Sequence, residues 1–283
     1  MPLFDLVKVL DKYDDGGKAM RASKVLAKLR AGKPVAGANI NVGSSILVAG
    51  LAGKLGMDFV WIDMEHRWFS YQDAALMVMT AREAGADAMV RLHDKNPSSF
   101  QRCFEIGATG VMVPHCKSRE EAEYSVRCSK SFPLGQRGME NACADADYGL
   151  ASWPQIMEWH NRETFLVIQI EDREAMEEID AITAVPNADI FFVGQADLSQ
   201  SLGKPGQFDA PVLKEALKKV AKSCEKNEKW WGLITGANPD VIKRSLDMGA
   251  MFLVPYLDFP PIIDTWRREV DVVHNVLAKE GLA

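Results

Sequence analysis

The residues best suited to chemistry in this chain lie in one stretch, Phe165 to Ser199, FLVIQIEDREAMEEIDAITAVPNADIFFVGQADLS. Two short apolar runs, FLVIQIE and DIFFVG, each end in acids and amides, so that Glu171 closes the first and Asp197 follows the second. A helical pattern from Arg173 to Ala184 separates them. Strand, crossover helix and parallel strand put both carboxylates at the carboxyl ends of neighbouring strands, the edge where α/β proteins bind ligands and metals. Two carboxylates, with the other positions left to water or substrate oxygens, suit a hard divalent ion such as Mg²⁺ or Mn²⁺. An ion with open positions can chelate a 2-oxo acid and act as a Lewis acid toward its enolate. A plainer alternative stays open, because acids at strand ends also cap helices and Asp197 before LSQS fits an N-cap.

Other strand ends supply partners for that chemistry. The second candidate strand ends in Asp63, Glu65 and His66, the third in Arg91, His93 and Asp94, and the fourth in His115. Gln169 lies two residues before Glu171 and so on the same side of its strand. An arginine closing an apolar strand is expensive to bury unless paired. Arg91 therefore reads as a fixed planar cation for a carboxylate or an enolate oxygen, or as half of a salt bridge to Glu65 or Glu171. His66 is the natural candidate for proton transfer, since imidazole is the side chain suited to that work near neutral pH, against the default of an ordinary loop histidine. Backbone N–H groups of the QADL turn, at a helix start, suit a carboxylate. His93, His115 and His160 carry weaker signals, and Cys116 reads as a small buried hydrophobe.

Positioning these side chains requires eight β/α units in a row. Strand candidates are VAGANI (35–40), FVWIDME (59–65), AMVRL (88–92), GVMVP (110–114), FLVIQIE (165–171), DIFFVG (189–194), WGLITG (231–236) and MFLVPY (251–256). They are continuously apolar, as strands buried on both faces are. Helical patterns fall between them, several closing on Gly before the next strand. Eight units with no second composition regime predict a closed (β/α)8 TIM barrel spanning residues 1–283 as a single domain, with a helical preface over residues 1–33 and a long C-terminal helix. One irregular insert, residues 132–163, carries Tyr148, Trp153 and Trp159 and is expected on the active face, lining or covering the pocket.

With 283 residues and a net charge of −6, the chain has the size of one barrel and no charge-based reason to bind nucleic acid or an anionic membrane. No apolar run approaches the roughly 20 residues that span a bilayer, and the first residues lack the basic flank and apolar core of a signal peptide. Five cysteines without a CxxC pair predict reduced thiols in a cytoplasmic protein.

Across residues 22–258 the ordered motifs LRAGKPVAGANI, DFVWIDMEH, MVRL, EIGATGVMVPHCKSREEAE, PLGQRGM, VIQIEDREAMEEIDAI and FFVGQADLSQSLGKPGQ resemble the HpcH/HpaI aldolase family, metal-dependent class II pyruvate aldolases of the phosphoenolpyruvate/pyruvate barrel superfamily. The resemblance implies reversible cleavage of a 4-hydroxy-2-oxo acid to pyruvate and an aldehyde, with Mg²⁺, Mn²⁺ or Co²⁺ on Glu171 and Asp197. It implies His66 as general acid/base, Arg91 as the group stabilising the pyruvate enolate, and Gln169, Ala196 and Asp197 as positions touching pyruvate. It assigns the position of Glu105 to raising the basicity of the histidine, with Asp63 as a local alternative. It also implies a homo-oligomer, a hexamer with exchanged C-terminal helices. Two departures border the pocket: Leu92 follows Arg91 where the family usually has proline, and Gln195 replaces proline after Gly194. Oxaloacetate decarboxylation, a macrophomate-synthase-like condensation and an inactive 2-oxo-acid-binding barrel are the competing expectations.

Overall fold

The computed structural model describes residues 20–282. Eight parallel strands close into a barrel in sequence order: β1 Val35–Ile40, β2 Phe59–Asp63, β3 Asp87–Arg91, β4 Gly110–Val113, β5 Phe165–Ile170, β6 Ile190–Val193, β7 Trp230–Ile234 and β8 Phe252–Leu257. All eight expected strands are present, and β1 pairs with both β2 and β8 to close the ring. The (β/α)8 barrel and the long C-terminal helix are as expected from the sequence.

The strands read as unbroken apolar runs because each of their two faces meets a different apolar layer. Facing inward are Val35, Phe59, Trp61, Met89, Met112, Phe165, Val167, Ile190, Phe192, Phe252 and Val254. Facing outward, Ile40, Val60, Ile62, Val90, Val111, Ile168, Phe191 and Leu233 pack under the helices. Fully burying one such side chain contributes roughly 1.5–3 kcal/mol, so the two layers supply most of the driving force for closure. The lower barrel interior is filled by aromatic rings, with Phe59 stacked on Phe252 at 4.2 Å between centroids. Gly110 makes room for them, since a Cβ there would lie 2.1 Å from the Phe165 ring.

In chain order the helices are α1 Lys24–Arg30, α2 Ile46–Lys54, α3 Tyr71–Glu83, α4 Pro97–Glu105, α5 Arg119–Ser129, α6 Trp153–Arg162, α7 Arg173–Glu177, α8 Ile179–Thr183, α9 Gln195–Ser201, α10 Pro211–Lys226, α11 Pro239–Asp247 and α12 Phe259–Lys279. Each crossover helix starts near the carboxyl end of a strand, the mouth, and returns to the opposite floor. Ser23 caps α1, and its Val25, Leu26 and Leu29 join the inner core and plug the floor. Buried Asp87 fixes that plug, accepting from Ser23 Oγ at 2.7 Å and Val25 N at 2.9 Å. The expected preface over residues 1–33 is thus a helix at Lys24–Arg30, and residues 1–19 lie outside the described residues. The single helix expected over Arg173–Ala184 is two short helices broken at Glu178.

The insert before β5 is not on the active face. It follows α5 back to the floor, so it leads into the amino end of β5, away from the mouth. Trp159 Nε1 donates to Arg21 O at 2.9 Å, Glu163 accepts from Ser23 N, and Lys130 Nζ donates to Thr164 O at 2.7 Å. Of Tyr148, Trp153 and Trp159 only Trp159 is buried; Tyr148 and Trp153 are exposed. Among the described residues no helix is long and apolar enough to cross a membrane.

Candidate functional site

At the top of the barrel the inward positions change from apolar to charged. Asp63 ends β2, Arg91 ends β3, Gln169 lies one residue from the end of β5, and Glu171 follows that strand. All four are at most 5 % exposed. Burial of this kind demands pairing, and Arg91 is the hub that provides it. Its Nε and Nη2 donate to the two oxygens of Asp63 at 3.0 and 2.6 Å, and its Nη1 lies 2.9 Å from Glu65 Oε2. The guanidinium also stacks over the Trp61 ring at 4.8 Å. Asp63 further accepts the backbone N–H groups of Glu65 and His66, so it holds the loop that carries both. Burial pushes the Asp63 carboxyl up, but Arg91 and these amides outweigh it and hold the acid below its ordinary range.

Glu171 is built into the opposite wall. Its Oε1 accepts the backbone N–H of His115 at 2.8 Å and its Oε2 accepts from Gln169 Nε2. Burial, reinforced by the charge of Glu65, pushes its carboxyl up to about 7 despite the His115 contacts. His115 sits at φ +51°, a left-handed conformation costly for a non-glycine residue, and its Nδ1 lies 2.9 Å from Asp172 Oδ2. Its Nε2 is 3.5 Å from Glu65 Oε1. Burial works against a charged imidazole there, but Asp172, Glu171 and Glu65 prevail and raise its pKa.

Backbone contact joins this wall to the next loop. A Cβ at Gly194 would lie 2.2 Å from Glu171 Oε2, so only glycine lets the chain after β6 pass this close. Asp197 and Ala196 then fall in the first turn of α9, which starts against Glu171. Among the described residues no group of three or more His, Cys, Asp or Glu side chains is arranged to hold a metal ion by itself.

The mouth therefore gathers Asp63, Glu65, Arg91, Gln169 and Glu171 into one contact network, with His66 on the rim and Asp197 on the adjoining turn. The His66 side chain is half exposed, with Nε2 3.9 Å from Glu65 Oε2. Asp63 is committed to Arg91 and to loop amides, which makes it a positioning group and not an evident partner of the His66 ring. The structure does not bring Glu105 to His66 within the chain: it is the last residue of α4, on the floor, where it accepts from Gln101 Nε2 at 2.7 Å. Within the chain it is at the opposite end of the barrel from His66, because helices following β-strands run away from the mouth. Asp172 was not singled out in the sequence; its position directly after Glu171 was the available signal. His115 carried only a weak one.

The sequence pattern of the HpcH/HpaI aldolase/citrate lyase family matches residues 42–241. The chain is 30% identical over 213 residues to the 4-hydroxy-4-methyl-2-oxoglutarate aldolase of Chaetomium globosum, covering 75% of this chain and 79% of that protein. It is 29% identical over 235 residues to the 4-hydroxy-2-oxo-heptane-1,7-dioate aldolase of Escherichia coli, covering 82% and 87%. Among solved structures, an HpcH/HpaI aldolase from Desulfitobacterium hafniense superposes with a TM-score of 0.82 at 30% identity, covering 87% of this chain and 95% of that one.

Proposed function

The chain belongs to the HpcH/HpaI aldolase/citrate lyase family and is a carbon–carbon lyase, and from that premise we propose that its barrel mouth cleaves a 4-hydroxy-2-oxo acid reversibly to pyruvate and an aldehyde. The aldolase names of the curated relatives favour this over decarboxylation, condensation or a silent binding role. The observation that carries the reading is the buried pairing of a fixed Arg91 with a wall of acids around Glu171.

Family members generally depend on a divalent metal, and the residues here fit one. Glu171, Glu65 and Asp172 gather around His115 at one point of the mouth, and burial, with the charge of Glu65 behind it, pushes Glu171 toward neutrality. Glu171 and Asp197 would hold the ion, with Mg²⁺, Mn²⁺ and Co²⁺ the candidates, since hard carboxylate oxygens suit these ions. Such an ion supplies Lewis-acid stabilisation of charge on the 2-oxo group.

The chain's own residues account for the remaining steps. His66, exposed at the rim, takes the proton of the 4-hydroxyl, directly or through water, as the C3–C4 bond breaks. Arg91, clamped by Asp63 and stacked on Trp61, presents a cation that needs no reorganisation as charge develops on the enolate oxygen. Gln169 and the amides of the α9 turn, at Ala196 and Asp197, orient the carboxylate half. Return of a proton to C3 releases pyruvate.

We read the protein further as a cytoplasmic homo-oligomer, a hexamer by family resemblance. Its free cysteines support the compartment. The exposed Ile263, Trp266, Val270, Val273 and Val276 of α12 support the association. The deciding experiment is pyruvate release from 4-hydroxy-2-oxo acids with Mg²⁺, Mn²⁺ or Co²⁺, with and without EDTA. Activity surviving complete chelation sinks the metal requirement, and absence of pyruvate from every such acid sinks the aldolase reading. His66→Ala is expected to lose cleavage while still binding Mn²⁺.

A further inference from the structure

A histidine that moves a proton needs its ring held and its tautomer set by a second group. Asp63 has no capacity left for that work. One of its oxygens accepts from Arg91 Nε and from the backbone N–H groups of Glu65 and His66, and the other accepts from Arg91 Nη2. Within the chain Glu105 lies on the floor. Among the described residues, Glu65 is the one acid within 4 Å of a ring nitrogen of His66, with Oε2 3.9 Å from Nε2.

Glu65 is placed for that contact and left incomplete without it. Its side chain is only 15 % exposed, and the buried Oε2 accepts no hydrogen bond. Arg91 Nη1 lies 2.9 Å from this oxygen and offsets its charge without supplying a bond. A buried acceptor with no donor is costly, and the facing His66 Nε2 is the donor at hand. At 3.9 Å the pair is too long for a hydrogen bond, as catalytic pairs often are before substrate binds. The half-exposed ring has room to close the gap. The other oxygen is steadied from the far side, with Oε1 3.5 Å from His115 Nε2 and His115 Nδ1 2.9 Å from Asp172 Oδ2. Asp172, His115, Glu65 and His66 therefore form one run of contacts across the mouth.

We propose that Glu65, steadied by His115, is the positioning residue of His66: its Oε2 accepts the Nε2–H bond and so leaves Nδ1 unprotonated as the base. This rests on the aldolase reading. In cleavage the 4-hydroxyl proton passes to Nδ1, the O–H electron pair completes the aldehyde carbonyl, and the C3–C4 pair goes to the enolate. The imidazolium so formed faces the Glu65 carboxylate, which offsets its charge until the proton passes on to water. Glu65 acts on the substrate only through that ring and through Arg91.

Two rates measured on the same Mn²⁺-loaded protein separate those two routes. Exchange of pyruvate methyl protons with deuterated water draws on Arg91 for the enolate charge and involves no 4-hydroxyl, whereas cleavage needs the His66 base as well. Glu65→Gln is expected to lower the ratio of cleavage kcat/KM to exchange by about 10- to 100-fold. The acid limb of the cleavage pH profile should move down by about one unit, because the imidazolium loses its counter-charge. The other charged or titratable groups about this pair are Arg91 on β3, Asp63 at the end of β2, His115 after β4 and Arg67, next in the chain. All four are unaltered in the variant. Glu65→Asp keeps the charge against Arg91 but draws the oxygen back from the ring, so it should restore exchange and not cleavage. Equal loss of cleavage and exchange in Glu65→Gln, an unmoved pH limb, or full recovery of cleavage in Glu65→Asp overturns the proposal. If Glu65→Gln does not fold, His115→Asn decides, since asparagine tolerates the left-handed backbone there. It should lower the same ratio by about 3- to 10-fold, and a wild-type ratio overturns the proposal. Wild-type protein that shows neither exchange nor cleavage removes the aldolase reading itself; exchange and cleavage with a ratio that Glu65→Gln leaves intact removes only the role of Glu65.

Discussion

Two clusters of arginine, carboxylate and histidine sit at opposite ends of the barrel, and they differ in how their charges close. On the floor, fully buried Arg137 pairs with Asp145 and stacks on the Phe104 ring at 4.2 Å. His160 bridges the cluster, with Nδ1 2.8 Å from Ser131 Oγ and Nε2 3.1 Å from Asp145 Oδ2. Burial drives the His160 imidazole toward its neutral form, and Asp145 is held below its usual range against the effect of burial by His160 and Arg137. One cation faces one anion, and the histidine adds no charge. At the mouth, Arg91 pairs directly with two acids, while Glu171 and Asp172 have their closest cationic contacts, among the described residues, with His115 and Lys117. The same residue types make a closed structural lock at one end and an open, over-acidic site at the other. What separates function from structure here is the balance of charge and not its presence.

The strongest way to break this contrast is Glu171→Gln. Pyruvate release should fall by about 10³-fold or more, the scale of losing an electrostatic catalytic element. The midpoint of urea unfolding should stay level or rise, because a poorly balanced buried charge is gone. A fall in activity matched by an equal loss of folding would show that the mouth is as structural as the floor. Arg137→Met probes the reverse case. Leaving Asp145 buried without its cation should cost about 3–5 kcal/mol of stability by denaturant titration, with kcat/KM of the folded fraction little changed.

Gly194→Ala sharpens the comparison at the level of a single methyl group. Its Cβ meets Glu171 Oε2 and Gln169 Nε2, so the variant should lose about 10- to 100-fold in kcat/KM and about 1–3 kcal/mol of stability. An alanine tolerated without kinetic effect would mean that Glu171 is not held by this contact.

The smallest effect is in pH, where the two ends oppose each other. Glu171, raised to about 7 in the fold from 4.5, contributes stability that is complete below pH 4.5 and lost as pH rises through 7. His115, also raised, adds stability below pH 6.5 that is lost above its folded pKa. His160, lowered in the fold, contributes stability present above pH 6.5 and lost as pH falls through its folded pKa. For the EDTA-treated protein, unfolding free energy should therefore fall by on the order of 1 kcal/mol from pH 5 to pH 8. Glu171→Gln should flatten that slope and His160→Gln should steepen it, as read by denaturant titration at each pH.

The strands were legible because burial on both faces leaves a continuous apolar run, unlike the alternation of a surface strand, and because the short length and flanking turn residues of each run set it apart from a buried helix. The mouth residues Asp63, Arg91 and Glu171 were legible for a related reason: a charge ending such a run has to be paired. The 132–163 insert was misplaced because sequence gives connectivity without direction, and a segment after a helix returns to the floor. The neutral lock of Arg137, Asp145 and His160 inside that insert carries no periodic signal; only folding brings its members together. His115 and Asp172 were weakly marked because their importance lies in a left-handed backbone turn and contacts across strands.

The plugged floor has a kinetic consequence. With aromatic rings filling the lower barrel and Val25, Leu26 and Leu29 closing it from below, nothing passes through, and substrate and both products share one doorway. In the proposed mechanism the 2-oxo half sits against Glu171 and Arg91, below the rim, and the aldehyde half nearer to His66 and the outside. The aldehyde is then expected to depart first and pyruvate last, with pyruvate, and not the aldehyde, a competitive product inhibitor against the incoming acid. The shape of the sealed end thus dictates the order of traffic at the open one.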